Sequence, residues 1–289
     1  MAVATQRNSS SGDEGAIVRP SLIARLIGRW GRMWLDTFSL LGGLAYLLGD
    51  VLRWVWRALT QKRVRFGRSA IVTQVVRVGC QSVGIVMLVS ACIGFILALQ
   101  MHDPLAQFGQ TDKIAMIVGV AVFRELGPLI AAIVLTGFAG ASIAAEIGTM
   151  VVGEEIEALE AHALNPIRFL VVPRVLATTM SLVLLTVLGD VTSVTAGGVM
   201  AVVFLSVPYE LYKANTLMAL TSTDFLTGLC KAGVFGMMLG GIACYNGLRV
   251  SGGAAGVGKA TTDTVVQTVV LVIVADLIFT ALFFMVDLS

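Results

Sequence analysis

Val78–Met101 reads VGCQSVGIVMLVSACIGFILALQM and carries no charged side chain. As a helix rising about 1.5 Å per residue, this stretch is roughly 36 Å long, more than the ~30 Å hydrocarbon core of a bilayer. The rest of the chain follows the same composition. Of its 289 residues, 57 % are hydrophobic and only 13 % are charged, where a soluble domain carries about a quarter. Mean hydropathy is +0.89. These values exclude a soluble enzyme, a nucleic-acid binder and a disordered scaffold. The sequence predicts an all-α polytopic membrane protein.

The formal net charge of +2 hides an asymmetry: residues 1–69 carry +7 and the remainder −5. A basic segment ahead of the first span reads as cytoplasmic by the positive-inside rule. Within it, 1–20 is polar and Ser-rich, an expected disordered head with no cleavable signal. Over 21–60, apolar residues from Ile23, Trp30 and Trp34 to Leu52 and Leu59 recur at three- and four-residue steps, opposite Arg25, Arg29, Arg32 and Arg53. That pattern predicts an amphipathic helix lying in the bilayer interface, broken at Gly42-Gly43. Residues 61–289 then hold five expected spans near 70–100, 113–145, 167–206, 225–248 and 263–286. With the amino terminus in the cytoplasm, an odd count puts the carboxyl terminus outside. Small residues three or four apart, as in Ser90/Gly94/Ala98 and Gly233/Gly236/Gly240, suit close helix packing. Cys80, Cys92, Cys230 and Cys244 lie in apolar runs without CxxC spacing and read as packing residues.

Several motifs bear on function. Gly253-Ala254-Ala255-Gly256-Val257-Gly258-Lys259 nearly spells a phosphate-binding loop, but Ala260 stands where Ser or Thr would hold magnesium. It reads as a flexible turn between spans four and five. His102 and His162 fall on opposite sides of the membrane, so no metal site is read. Arg124-Glu125 lies mid-span and is followed by Leu126-Gly127-Pro128. A charge at mid-membrane costs about 2.5 kcal/mol or more unless it meets a partner, cavity or water. Gly-Pro after it permits a bend. The motif therefore reads either as part of a transport pathway or as a buried ion pair with Asp190, Lys231 or Asp276. The segment Glu146–Pro166, EIGTMVVGEEIEALEAHALNP, is too polar to span. It predicts a short amphipathic helix with Val152, Ile156, Leu159 and Ala163 on one face and Glu154, Glu155, Glu157 and Glu160 on the others. Such a helix either docks on a soluble partner or is a solvated connector.

These residues carry a family resemblance. Arg124–Pro128 (RELGP), Gly140–Glu160 (GASIAAEIGTMVVGEEIEALE), Asn165–Arg168 with Val172–Ala177, and Tyr245-Asn246-Gly247 with Gly253–Gly258 resemble the MlaE family, the permease subunits of Mla/MCE-type ABC lipid transporters. The resemblance covers roughly 60–287. It implies five spans plus an interfacial helix, a homodimer in the bacterial inner membrane, and transport of phospholipids or related lipids to or from periplasmic MCE-domain proteins. ATP hydrolysis is then expected in a separate ABC ATPase, sometimes joined by a STAS-domain protein; no cofactor, metal or nucleic acid is implied. Arg124, Glu125, Gly127 and Pro128 are candidates for lining or gating the lipid path. Glu154, Glu155, Ile156, Glu157, Leu159 and Glu160 are candidates for coupling to the ATPase, and Gly140, Glu146 and Gly148 form a structural motif. Two positions depart from the family pattern: Phe138 where Arg is usual, leaving Glu125 or Glu146 to find another partner, and Asp263 where a basic residue is common. The alternatives are a stand-alone proton-coupled carrier using Arg124, Glu125, Asp190 and Asp276, and a scaffold that only anchors an MCE protein.

Overall fold

The computed structural model describes residues 22–60 and 68–286, which are helical with no strand among them. The expected disordered head at 1–20 lies outside the described residues. Two compact units meet at Gly43 and Leu44. The first, as far as it is described, is the helical stretch 22–43, the opening part of α1 (Leu22–Thr60). The expected break at Gly42-Gly43 does not occur, since both glycines stay helical. Each costs a helix about 1 kcal/mol relative to Ala, and with no left-handed residue to end the helix that is too little to stop it.

The second unit contains the spans. After α2 (Arg68–Val78) comes α3 (Val83–Gln107). Span two is built of α4 (Ile114–Ala121), α5 (Gly127–Leu135) and α6 (Ala141–Val152). Single π turns join these three, at Val122–Leu126 and Thr136–Gly140. The connector α7 (Glu155–Ala161) follows, then a third π turn at Ile167–Val171 and α8 (Val172–Val203). The chain closes with α9 (Tyr209–Ala219), α10 (Ser222–Leu248) and α11 (Gly253–Met285). By length and composition, six segments among the described residues could cross a membrane. Five correspond to the expected spans, and the sixth, Phe38–Arg57, lies in the region read as interfacial.

Two of the π turns precede a proline. Pro128 and Pro173 sit in the first turn of α5 and α8, directly after those π turns, where the interrupted ladder accommodates a residue without an N–H. α8 is the centre of the unit: Val175, Leu182 and Leu185 bury against Leu135, Phe235 and Leu239 in one continuous core. Small residues let its neighbours approach. Gly94 of α3 lies on the Ser193 backbone, and Gly236 and Gly240 of α10 lie on Thr178 and its neighbours. Gly233, included in the expected small-residue face, has only open contact instead. α11 is the opposite case, with Val266, Val270, Ile273, Leu277 and Phe284 all exposed. That face suits lipid tails or a second membrane protein.

Two stretches read as loops are helical. α9 occupies the expected 207–224 loop, anchored by the Tyr212 hydroxyl donating to the Val194 carbonyl at 3.0 Å and by Asn215 donating to the Asp112 carbonyl at 2.8 Å. Burial pushes the Tyr212 phenol up to about 12, so it remains a neutral donor. The Gly253–Lys259 run forms the opening turns of α11, which starts well before the expected 263. Only Gly252 and Gly253, with φ of 87° and 67°, make the turn itself. A helical Gly253–Lys259 does not form the loop that would wrap a phosphate.

Candidate functional site

Two ion-paired clusters of the spans and the connector α7 make up the candidate site. The first is the π turn Val122–Leu126, where the wider turn and Pro128 interrupt the regular bonding of span two. Arg124 pairs through Nε with the Asp224 carboxylate at the start of α10. Asp224 is itself fixed by a capping box: Thr221 Oγ1 accepts from the Asp224 N–H, and Asp224 Oδ2 accepts from the Thr221 N–H at 2.9 Å. Glu125 accepts from Lys231 Nζ at 2.6 Å, and Lys231 also donates to Asp276 at 2.9 Å and Thr280 at 2.9 Å. The Thr280 hydroxyl lies 2.9 Å from the other Glu125 oxygen. Lys231 is 1 % exposed, so its charge is answered by these partners rather than by water. A cavity of about 90 Å³ opens beside Arg124, Glu125, Lys231 and Phe283. Adjacent in sequence, Arg124 and Glu125 thus reach separate partners and tie span two to α10 and α11.

Gly127 and Pro128 complete that motif differently. Both are buried. A Cβ on Gly127 would overlap the Asp190 carboxylate of α8, so the glycine permits the close approach of the two helices.

The second cluster lies at the far end of span two. Glu146 of α6 pairs with Arg77 of α2 and accepts from Arg174 of α8 at 3.3 Å. Gly148, two residues after Glu146, packs on Val250, where a Cβ would sit 2.8 Å from a Val250 methyl. Gly140 lies in the second π turn beside Thr136 and Thr264. Phe138, in the same turn, is exposed. With Glu125 held by Lys231 and Glu146 by two arginines, neither acid requires an Arg at position 138.

The third feature is α7. The expected helix through Val152–Ala163 is shorter and turned differently. Glu154 and Ala163 both adopt φ 58° and bracket the helix, Val152 ends α6, and α7 itself runs Glu155–Ala161. Ile156 packs against the core and Leu159 is half-buried. Of the apolar face expected to dock, Ile156 is thus seated on the bundle and Leu159 half-buried, while Val152, before the left-handed Glu154, and Ala163, itself left-handed, are exposed. Glu154, Glu155, Glu157 and Glu160 remain exposed.

Sequence reading named Lys231 and Asp276 as possible partners of Arg124-Glu125, and missed Asp224, Thr280 and Arg77. Thr221-x-x-Asp224 at the head of an apolar run was the available signal for Asp224; nothing in the sequence pointed to Thr280. Among the expected proton-relay acids, Glu125 and Asp276 are held by Lys231, and Asp190 alone has an unpartnered oxygen among the described residues.

Comparison with known proteins fits this arrangement. The family described as Permease MlaE matches residues 71–282. The chain belongs to the MlaE permease family. It is 38 % identical over 216 residues to a probable ABC transporter permease protein of Rickettsia felis, covering 75 % of this chain and 83 % of that one. It is 33 % identical over 227 residues to the probable ABC transporter permease protein slr1045 of Synechocystis, covering 76 % and 84 %. It is also 31 % identical over 211 residues to the chloroplastic protein trigalactosyldiacylglycerol 1 of Arabidopsis thaliana, covering 73 % and 60 %. The permease is a multi-pass membrane protein, and both the ion-paired π turn and α7 fall within the matched region.

Proposed function

We propose that this permease moves phospholipids or related lipids between the inner membrane of a bacterium and periplasmic MCE-domain proteins, as a homodimer driven by a separate ABC ATPase. The observation that carries the motor half of this reading is α7, a short helix between spans two and three with Ile156 packed on the bundle and Glu155, Glu157 and Glu160 exposed, as is Glu154 just before it. An exposed acidic ridge on a rigid connector suits a basic groove of a soluble partner. The lipid half is supported by family membership and by a relative named for a galactosylated diacylglycerol. In this reading the amino terminus and α7 are cytoplasmic, the carboxyl terminus is periplasmic, α1 lies along the interface, and a STAS-domain protein can accompany the ATPase.

Movement of α7 passes to the two helices it joins. Glu146 binds both α2 and α8, so a push on α6 shifts three spans together. Arg124, Glu125, Gly127 and Pro128 then form the hinge of the lipid path, where the π turn and the ion pairs allow span two to bend without exposing bare backbone.

Co-purification tests the motor half. Glu157→Lys/Glu160→Lys reverses charge on the exposed ridge without touching the core. The candidate ATPase should copurify with the wild type and be lost from this variant. Equal capture by both would refute the docking surface. Fluorescent phospholipid transfer in proteoliposomes with the ATPase and MCE protein tests the lipid half: ATP-dependent transfer is expected, and ATP-independent transfer that collapses with the proton gradient would favour a stand-alone carrier instead.

A further inference from the structure

Among the described residues, one buried acid has no counter-charge. Asp190, midway along α8, is 2 % exposed, and its Oδ1 has no hydrogen-bond partner among the described residues. Asp224, Glu125, Asp276 and Glu146 all meet Arg or Lys. Among the described residues, the cations within the bundle are committed elsewhere: Arg124 to Asp224, Lys231 to Glu125 and Asp276, and Arg77 and Arg174 to Glu146. α4 and α5 carry no ionisable side chain, α3 offers only Cys92 before His102 and Asp103, which contact each other, and Lys213 of α9 lines a separate groove.

The polar neighbours of Asp190 along α8, and of the adjoining Gly189 on α3, are hydroxyls. Ser193 and Thr186, about one turn to either side, are buried with their oxygens also unpartnered among the described residues. Ser90 of α3 reaches in beside Gly189, where a Cβ would stand 2.8 Å from its Oγ. A cavity of about 10 Å³ is lined by Ser90, Ser193 and Gly189, and by Gly127, the residue that the Asp190 carboxylate contacts; it has room for one water-sized occupant. On its span-two side, the Asp190 carboxylate is pressed against Gly127, at the junction of the π turn and α5.

A carboxylate in hydrocarbon is driven to neutralise, by a partner or by a bound cation. We propose that Asp190, with Ser193 and Ser90, forms a binding site for one monovalent cation, a proton or a sodium ion, at the joint between α8 and α5. One carboxylate and a set of neutral oxygens balance a single positive charge; a divalent ion would leave an excess charge buried. The occupied site is neutral and keeps α8 closed on Gly127. The emptied site exposes a charge that draws in water and loosens the joint at the bend of span two. This stands apart from the lipid-transport reading and is tested without any transport assay.

The test is the melting temperature of the purified full-length protein in detergent, for the wild type and Asp190→Asn. One arm raises pH in choline chloride; the other replaces choline with sodium at the alkaline end. The neutral site favours the folded state, so stability is present at low pH and is lost as pH rises through the titration of the folded protein. The wild-type melting temperature should therefore fall by about 5 °C or more on alkalinisation, while Asp190→Asn stays flat. Recovery by sodium identifies a sodium site, and no recovery identifies a proton site. A wild type as flat as the variant in both arms, or a variant as responsive as the wild type, overturns the proposal. If the Asn amide does not fit against Gly127, Asp190→Ser serves as the neutral variant with the same outcomes.

Discussion

Lys231→Met is the sharpest perturbation of the ion-paired π turn. It preserves length and approximate volume and removes a charge that is 1 % exposed and held by Glu125, Asp276 and Thr280. Two carboxylates then face each other with no cation. Their side chains are 37 % and 15 % exposed for Glu125 and Asp276, so water relieves Glu125 and the loss falls mainly on Asp276. Breaking a buried pair by removing one partner costs about 3–5 kcal/mol. Uptake of a proton by one acid holds the cost near the lower end, about 3 kcal/mol. For a chain of this size, that corresponds to a melting temperature lower by roughly 6–12 °C in detergent. The triple variant Lys231→Met/Glu125→Gln/Asp276→Asn removes all three charges and should recover at least half of the loss, since a neutral replacement of a buried ionic cluster is often nearly costless. A single variant within about 2 °C of the wild type would show that Lys231 neutralises nothing of consequence. A triple variant as unstable as the single would show that shape, not charge, is what the lysine supplies.

Three further outcomes are expected. Gly127→Ala should destabilise by about 1–3 kcal/mol through overlap with Asp190, with much of the loss recovered when Asp190→Ser is added; thermal melts of the single and double variants check this. Thr221→Ala removes the cap of α10 and should cost about 1 kcal/mol, read as a melting temperature lower by a few degrees with oligomeric state unchanged on gel filtration. Ile156→Asp should destabilise by about 1–2 kcal/mol because it puts a charge against the core, whereas Glu157→Lys, on the exposed side of the same short helix, should leave the melt within about 0.5 kcal/mol.

The span pattern was legible because bilayer thickness imposes a minimum apolar length that composition alone reveals. Arg124-Glu125 and the acidic run at Glu154–Glu160 stood out for the same reason, as charges where the solvent disfavours them. Partners were harder. Lys231 and Asp276 could be suspected as lone charges within apolar runs, but Asp224 looked like a loop residue because Thr221 caps a helix whose first turn is polar. The orientation of α7 could not be read, since a regular 3.6-residue period assumes continuous helix and Glu154 departs from it at φ 58°. The Gly253–Lys259 run misled in the opposite direction: glycine-rich composition suggested a loop, while the neighbouring spans and the turn at Gly252 favour a helix.

The two π turns of span two have a consequence for how this segment tolerates insertion and deletion. Each π turn accommodates one residue more than an α-helical path, and one residue corresponds to about 100° of rotation around a helix. Span two is thus phased twice, once before α5 and once before α6. Arg124-Glu125 and Glu146 keep their separate alignments because each π turn absorbs its extra residue. Losing a single residue near Phe138 would turn that π turn into α-helix and leave Glu146 on Arg77 and Arg174, whereas losing one from the regular turns of α6 would swing Glu146 away from both. For this span, position along the chain matters less than angular phase, and the π turns are where a change of length disturbs that phase least.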